Sequence, residues 1–233
     1  MKIGKKLKIT KIAGIILFIT LVVSVVYSFV NFLFAPAELA DAQPYEKLKS
    51  DYLLMTTQCL LGIVVMTLPA LLDRKWKIVV PNAIVVLYYA FLYCAIYLGE
   101  VHSFYYLIPH WDTILHAFSG AMLGALGFIL VDILNKDKNV SVSLSPLFLS
   151  IFAFAFALAV GALWEIYEYS FDAVLGLNMQ KHTTEAGVAL AGTQALADTM
   201  KDLIIDALAA FAVSAVGFVI SKAKRREKPN TEK

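Results

Sequence analysis

Six apolar segments, each long enough to cross a lipid bilayer as a helix, dominate this chain of 233 residues. A helix needs roughly 20 apolar residues to cross about 30 Å of hydrocarbon. The segments lie near residues 12–35, 52–72, 78–99, 113–134, 147–171 and 199–221. With 60% hydrophobic and 16% charged residues, the chain is more apolar than a soluble domain. We therefore predict an all-α, polytopic membrane helix bundle with about six transmembrane helices.

The predicted organisation is one integral membrane domain, residues 1–233, made of a basic N-terminus (1–11), a six-helix bundle (12–221) and a basic tail (222–233). The basic start, the first apolar segment and an Ala-Pro-Ala triplet at 35–37 also fit a cleaved signal peptide. Because the apolar run exceeds twenty residues, against roughly 7–15 in a signal peptide, we interpret it as a retained first helix.

The lysines and arginines are distributed unevenly between the two sides of the predicted membrane. Sixteen of the twenty fall in the N-terminus, the tail and the links near 73–77 and 135–146, and only Lys47, Lys49, Lys181 and Lys201 fall on the other side. We predict a multi-pass plasma-membrane protein, and the positive-inside rule predicts that both of its termini lie in the cytoplasm. The basic tail is expected to meet anionic membrane lipids, and we see no nucleic-acid motif. Cys59 and Cys94 lie inside predicted spans and are interpreted as apolar fillers.

Ionisable residues occur at the outer ends of the last three spans, where burial in a membrane is costly and usually serves a function. They form three groups: Asp112 with His116; Glu165 with Glu168 and Asp172; and Asp198 with Asp202 and Asp206. Within each group the spacing of three or four residues places the side chains on one helix face. Since the fourth and sixth spans run inward and the fifth runs outward, we expect His116, Glu165 and Asp202 or Asp206 at comparable depth.

Capping accounts for only part of this pattern. Acidic residues are favoured at helix N-termini, so Asp112 and Asp198 fit a capping role as well as a functional one. The carboxylates of the fifth span sit at a helix C-terminus, where the dipole disfavours anions. Protonation, basic partners or a bound cation must offset their repulsion. Basic residues are few on that side, so a divalent metal ion is the economical explanation.

We therefore assign metal ligation to Asp112, His116, Glu165, Asp172, Asp202 and Asp206, and general-base catalysis to Glu168 or Asp198. Carboxylates combined with histidine suit Zn or Mn, whereas carboxylates alone suit Mg. His102, His110 and His182 fall on the same side and are interpreted as solvated loop residues. Gly120, Gly124 and Gly127 are expected to allow close helix packing.

Three functions fit this site. The first is a metal-dependent hydrolase or transferase that acts on a lipid or lipid-linked envelope substrate. The second is a cation or proton-coupled transporter, which requires a polar path to the cytoplasm. The third is a structural or partner protein in which a cation only joins three helices. The oligomeric state is left open.

Three motifs also carry a family resemblance: W-D-x-x-x-H-x-x-S-G at 111–120, W-E-x-x-E-x-x-x-D at 164–172 and D-T-x-x-D at 198–202. Together they resemble the YjdF-like family of bacterial multi-pass inner-membrane proteins, over roughly residues 105–215. Their order is also similar to a broader VanZ-like pattern. That pattern has a Glu-Gln pair where this chain has Glu165 and Glu168, and an arginine not found here. The resemblance implies an integral membrane protein whose polar site comprises Asp112, His116, Glu165, Glu168, Asp198 and Asp202.

Overall fold

A computed structural model of the chain describes residues 2–37, 47–136, 144–182 and 188–227, with side chains placed for 8–37, 47–131, 144–182 and 188–226. The helices are α1 Lys2–Phe34, α2 Lys49–Val65, α3 Leu68–Trp76, α4 Asn82–Leu92, α5 Phe104–Leu107, α6 Trp111–Lys136, α7 Pro146–Leu175 and α8 Thr193–Glu227. A π-helix, Tyr93–Val101, continues α4.

Six helical segments of the described chain are long and apolar enough to cross a membrane, which confirms the all-α fold class and the predicted number of spans. They cover Lys8–Phe34, Lys49–Trp76, Asn82–Val101, Trp111–Val131, Pro146–Leu175 and Thr193–Arg226. The last two are longer than expected from hydropathy. α7 continues four residues past position 171, and α8 begins six residues before 199.

The second span is interrupted between α2 and α3. Pro69 occupies the first turn of α3, where its missing N–H and fixed φ are tolerated, although the same residue would disrupt a continuous helix. The Thr67 hydroxyl donates to the Val64 carbonyl 2.7 Å away, at the point where the ladder of α2 ends. None of the α3 residues is buried, so α3 diverges from the core that α2 joins.

The chain divides into two compact units. Unit 1 comprises Met1–Leu115 and Tyr167–Asp198, and unit 2 comprises His116–Ile166 and Thr199–Lys233. The organisation as one integral membrane domain stays a prediction.

Unit 1 has an apolar core built from α1, α2 and α4 with its π-helical extension. Leu17, Leu21, Cys59, Leu92 and Ile96 are buried there. The core position of Cys59 confirms its expected role as a filler, and both cysteines are free thiols.

Unit 2 is held together by small residues. An ideal Cβ added at Gly120 would lie 2.9 Å from the carbonyl oxygen of Asp206, and one at Gly124 would lie 3.4 Å from Val213. Both neighbours belong to α8, so α6 and α8 touch backbone to backbone and run in the same direction. Van der Waals packing of close backbones is the main attraction between helices in lipid, so the predicted packing role of these glycines is confirmed.

α7 runs antiparallel to these two helices. A Cβ at Gly127 of α6 would lie 2.7 Å from Cα of Ala153, and a Cβ at Gly161 would collide with the Asp206 carboxylate. Since Asp206 also adjoins Gly120, position 161 of α7 is level with position 120 of α6. Moving one turn back along α6 therefore corresponds to moving one turn forward along α7.

Candidate metal centre

This register brings three buried polar residues of unit 2 to one level. One turn back from Gly120 is His116, and one turn forward from Gly161 is Glu165. On α8, which is parallel to α6, one turn back from Asp206 is Asp202. These helices therefore bring His116, Glu165 and Asp202 to the common depth that the sequence predicted.

Burial of this group is nearly complete. The exposed fraction is 2% for Asp202, 2% for Asp206, 5% for Glu165 and 8% for His116. The lysines and arginines of unit 2 whose side chains are described are all exposed, including Lys201 of α8. Three carboxylates and one imidazole thus lie in a low-dielectric interior, where unpaired charge is costly.

The imidazole of His116 lies between two aspartates. Its Nδ1 is 3.3 Å from Oδ2 of Asp206, within hydrogen-bond distance, and its Nε2 is 3.8 Å from Oδ2 of Asp202. The other oxygen of Asp206, Oδ1, is buried and has no hydrogen-bond partner in the described part of the chain. The two aspartates therefore face different ring nitrogens.

Asp206 packs against two glycines that leave room for it. Its carboxylate occupies the space above Gly161, where any Cβ would approach it closer than 3.0 Å, and its backbone adjoins Gly120. Below it, the interface contains Ala157, Ala210 and Ala153, each at most 1% exposed. Ser119 donates to the carbonyl of His116 at 3.0 Å, a local helix bond and not a catalytic pairing.

In unit 1, Asp112 and Asp198 share a lysine. Lys181 forms an ion pair with Asp112, and its Nζ lies 3.7 Å from Oδ2 of Asp198. Its ammonium also lies 5.2 Å from the ring centroid of Tyr105, a cation–π geometry. Lys181 is one of the few basic residues on the predicted outer side, and its pairing with carboxylates was not predicted from the sequence. Ligation by Asp112 and catalysis by Asp198 stay predictions.

Asp172 organises the chain that follows α7. Its Oδ1 accepts the backbone N–H of Met179 at 2.8 Å, and its Oδ2 accepts that of Gln180 at 3.0 Å. The imidazole Nδ1 of His182 lies 3.5 Å from the same Oδ2. These contacts give Asp172 a structural role in the loop, and its ligation of metal stays a prediction.

Glu165 and Asp198 lie farther from the helix ends than the sequence predicted. α7 ends at Leu175, ten residues after Glu165. Glu165 therefore lies inside the helix and outside the last turn, to which the effect of the dipole is confined. Since α8 begins at Thr193, Asp198 lies inside the helix, and its interpretation as a cap is wrong. Asp112 does lie in the first turn of α6, as a dipole-stabilised acid would.

The remaining predicted residues belong to unit 1. Glu168 is half-buried in unit 1, in electrostatic contact with Tyr167. His102, His110 and His182 are exposed, which confirms that they are surface residues. Part of the long segment before α8, residues 183–187, lies outside the described residues.

A family model described as "Predicted membrane protein (DUF2238)" matches residues 15–223. The chain belongs to this DUF2238 family. The match covers four of the six candidate membrane helices in full, most of the first and last, and the acidic residues from Asp112 to Asp206. A search of curated proteins and a search of solved structures gave no match. Membership of DUF2238 therefore establishes a membrane protein. It assigns no reaction to the His116 group, by which we mean His116, Glu165, Asp202 and Asp206.

Proposed function

We propose that this membrane protein binds a divalent metal ion in unit 2, through Nε2 of His116 and the carboxylates of Asp202 and Glu165. Asp206 accepts a hydrogen bond from the Nδ1–H of His116 on the opposite side of the ring. In this arrangement Asp206 orients the ligand, and Asp202 and Glu165 supply charge to the ion.

The observation that carries the proposal is the pair of aspartates on the two ring nitrogens. A neutral imidazole has one N–H, and the 3.3 Å contact to Asp206 uses it. The Nε2 lone pair then faces the Asp202 oxygen at 3.8 Å, so that two acceptors oppose each other in a buried site. A cation between them turns this repulsion into two favourable contacts.

The 3.8 Å between Nε2 of His116 and Oδ2 of Asp202, and the kinds of donor atom, fit such an ion. Metal–ligand bonds to histidine nitrogen and carboxylate oxygen are about 2.0–2.2 Å, which puts two ligands of one ion roughly 3–4 Å apart. A carboxylate on the second ring nitrogen of a ligating histidine is a common way to fix its tautomer and raise its basicity. One nitrogen with several carboxylate oxygens favours Zn or Mn over Mg.

A metal in this position would lower the pKa of a bound water and polarise a phosphoryl or carbonyl oxygen. The activity that this supports best is hydrolysis or group transfer on a lipid or lipid-linked substrate reaching the site from the membrane. Glu168 and Asp198 remain the proposed general bases, and Asp112 and Asp172 remain additional proposed ligands.

Elemental analysis of purified protein tests the metal. We expect about one divalent ion per chain in the wild type, and loss of most of it in His116→Ala and Asp202→Ala. The matched controls are His102→Ala and Asp73→Ala, which alter exposed residues outside unit 2. A wild type without stoichiometric metal, or equal metal in all five proteins, would refute the proposal.

Proton or cation transport is the second candidate, because a second proton on His116 would satisfy both aspartates without a metal. A transport path would have to continue from Asp206 along the helices. In the described residues the next buried positions are instead mostly apolar: Ala157, Ala153 and Ala210, with Val131 beyond at 2% exposure. The buried polar side chains of that region are the hydroxyls of Ser214 and Ser150. A mostly apolar stretch without a buried ionisable group in the described residues favours a closed binding site over a continuous path. Proton or cation flux into proteoliposomes that is lost in His116→Ala would favour transport instead.

We also propose that the protein lies in the plasma membrane with both termini in the cytoplasm. The uneven distribution of lysine and arginine supports this. So does the antiparallel pairing of α1 and α2, because the Thr56 hydroxyl donates to Ser28 at 2.8 Å while Gly62 packs on Leu21. The basic start of α1 and residues 74–77 therefore belong to one end of unit 1. Labelling of a cysteine introduced at His182 from the cytoplasmic side alone would refute this orientation.

A further inference from the structure

A surface groove of about 400 Å³ lies in unit 1 between α1, the end of α2 and α4. Its walls are mostly apolar, and they include Lys11, Gly14, Ile15, Phe18, Met66 and Tyr89. This volume is in the range of small-molecule sites, roughly 300–1,000 Å³. All of these residues belong to unit 1, and none takes part in the His116 group.

The groove follows from the break in the second span. α2 stops at Val65, and the buried residues of this span end at Met66. α3 has no buried residue, so it leaves the faces of α1 and α4 uncovered at that level. Gly14 deepens the groove because it has no side chain, and a Cβ there would lie 3.1 Å from the Tyr89 ring. The resulting groove is mostly apolar, and the aromatic ring of Tyr89 forms one of its walls.

The groove has a basic end, which is the end lined by Lys11. Lys11 lines it and is exposed. Because α1 and α2 are antiparallel, the start of α1 belongs to the end of unit 1 from which α3 continues. That end also carries Lys8, Arg74, Lys75 and Lys77, further lysines at positions 2, 5 and 6, and the acidic residue Asp73. Lys75 lies 5.4 Å from the ring centroid of Trp76, a pairing typical of the headgroup region.

We propose that this groove binds one anionic phospholipid, with an acyl chain along Gly14, Ile15 and Phe18 and its phosphate facing the Lys11 ammonium. An apolar channel alone would accept any lipid chain, so the selectivity comes from the basic end. Basic pockets between membrane helices favour anionic headgroups, at about 1 kcal/mol per lysine or arginine near the surface. At that magnitude, removal of Lys11 lowers the preference about fivefold.

Native mass spectrometry of delipidated protein tests this with phosphatidylglycerol and phosphatidylcholine carrying the same acyl chains. We expect the wild type to retain one phosphatidylglycerol in preference to phosphatidylcholine. Lys11→Ala should lower that preference several-fold, and Ile15→Trp, which fills the groove from a side chain 58% exposed, should lower binding of both lipids.

Lys224→Ala is the matched control, because Lys224 is exposed near the end of α8 and outside the groove. Equal retention of the two lipids by the wild type would overturn the proposal. So would equal effects of Lys11→Ala and Lys224→Ala, which would show only a general attraction of anionic lipid to a basic protein. Lipid retention unchanged in Ile15→Trp would overturn the placement of the chain in the groove.

Discussion

Nδ1 of His116 and Oδ2 of Asp206 lie 3.3 Å apart, although the two residues are 90 positions apart in the chain. The contact requires α6 and α8 to run parallel and to touch at Gly120. Asp206 and Asp202 therefore have different roles, since Asp206 faces Nδ1 and Asp202 faces the other ring nitrogen, Nε2.

This division predicts unequal effects of removing charge from the two aspartates. Asp206→Asn should weaken metal binding about 10- to 100-fold, the usual effect of losing a carboxylate that orients a ligating histidine. Asp202→Asn should weaken it more, because a ligand is lost. Competition with a metal-binding dye would give the dissociation constants, with Asp73→Asn as the unchanged control. Equal losses in the two variants would mean that Asp206 is itself a ligand.

Gly161 is expected to tolerate no side chain while Asp206 is present. Gly161→Ala forces a methyl group into the carboxylate and should destabilise the protein by about 1–3 kcal/mol, the usual cost of overpacking. Gly124→Ala is the control, since its Cβ would meet Val213 at an ordinary 3.4 Å. Thermal unfolding in detergent measures both.

Adding Asp206→Ala should recover much of the stability lost in Gly161→Ala, because the colliding group is then removed. The double-mutant cycle should give a clear interaction energy between positions 161 and 206. Additive effects would mean that α7 and α8 do not meet at these residues.

Lys181 is expected to fasten the loop after α7. Lys181→Met removes the ion pairs with Asp112 and Asp198, each worth up to about 1 kcal/mol at partly exposed positions. Amide hydrogen exchange in residues 176–182 should then accelerate about two- to tenfold, and wild-type exchange should rise with salt. Lys201→Met, at an exposed lysine of α8, should leave this loop unchanged. Identical exchange in both variants would contradict the fastening role.

The pH dependence of stability should carry a contribution from Lys47. Burial lowers the pKa of Lys47 below its usual value of 10.5, while Asp51 and Glu100 oppose the shift. The unfolded chain therefore holds this proton more tightly, so stability rises with pH between the lowered pKa and 10.5. Thermal unfolding from neutral pH to pH 10 should show a smaller rise in Lys47→Met than in the wild type. The same slope in both proteins would contradict the predicted effect.

The sequence was sufficient to predict the spans and the depth of the site. Apolar runs mark membrane helices because every backbone polar group must be bonded within the bilayer. Alternating helix directions then bring His116, Glu165 and Asp202 to one level by counting turns. The spacing of four from His116 to Gly120 and Gly124 also carries the packing signal.

Other features depend on contacts that no local pattern reveals. Lys181 lies 69 residues from Asp112, in a polar loop without periodicity, and its partners become visible only in the folded chain. The ends of α7 and α8 extend past their apolar runs, so hydropathy placed Glu165 and Asp198 too close to helix termini. Pro69 indicates a possible break, but the divergence of α3 depends on what α1 and α4 leave uncovered.

The collision between Gly161 and Asp206 also constrains how relatives of this protein diverge. A lineage that keeps the aspartate must keep glycine opposite it, since every other residue adds a Cβ. A lineage that replaces the aspartate with a smaller residue frees position 161 to accept alanine or serine. The two positions should therefore covary across the DUF2238 family, and a relative with a side chain at 161 should have given up the histidine's acidic partner.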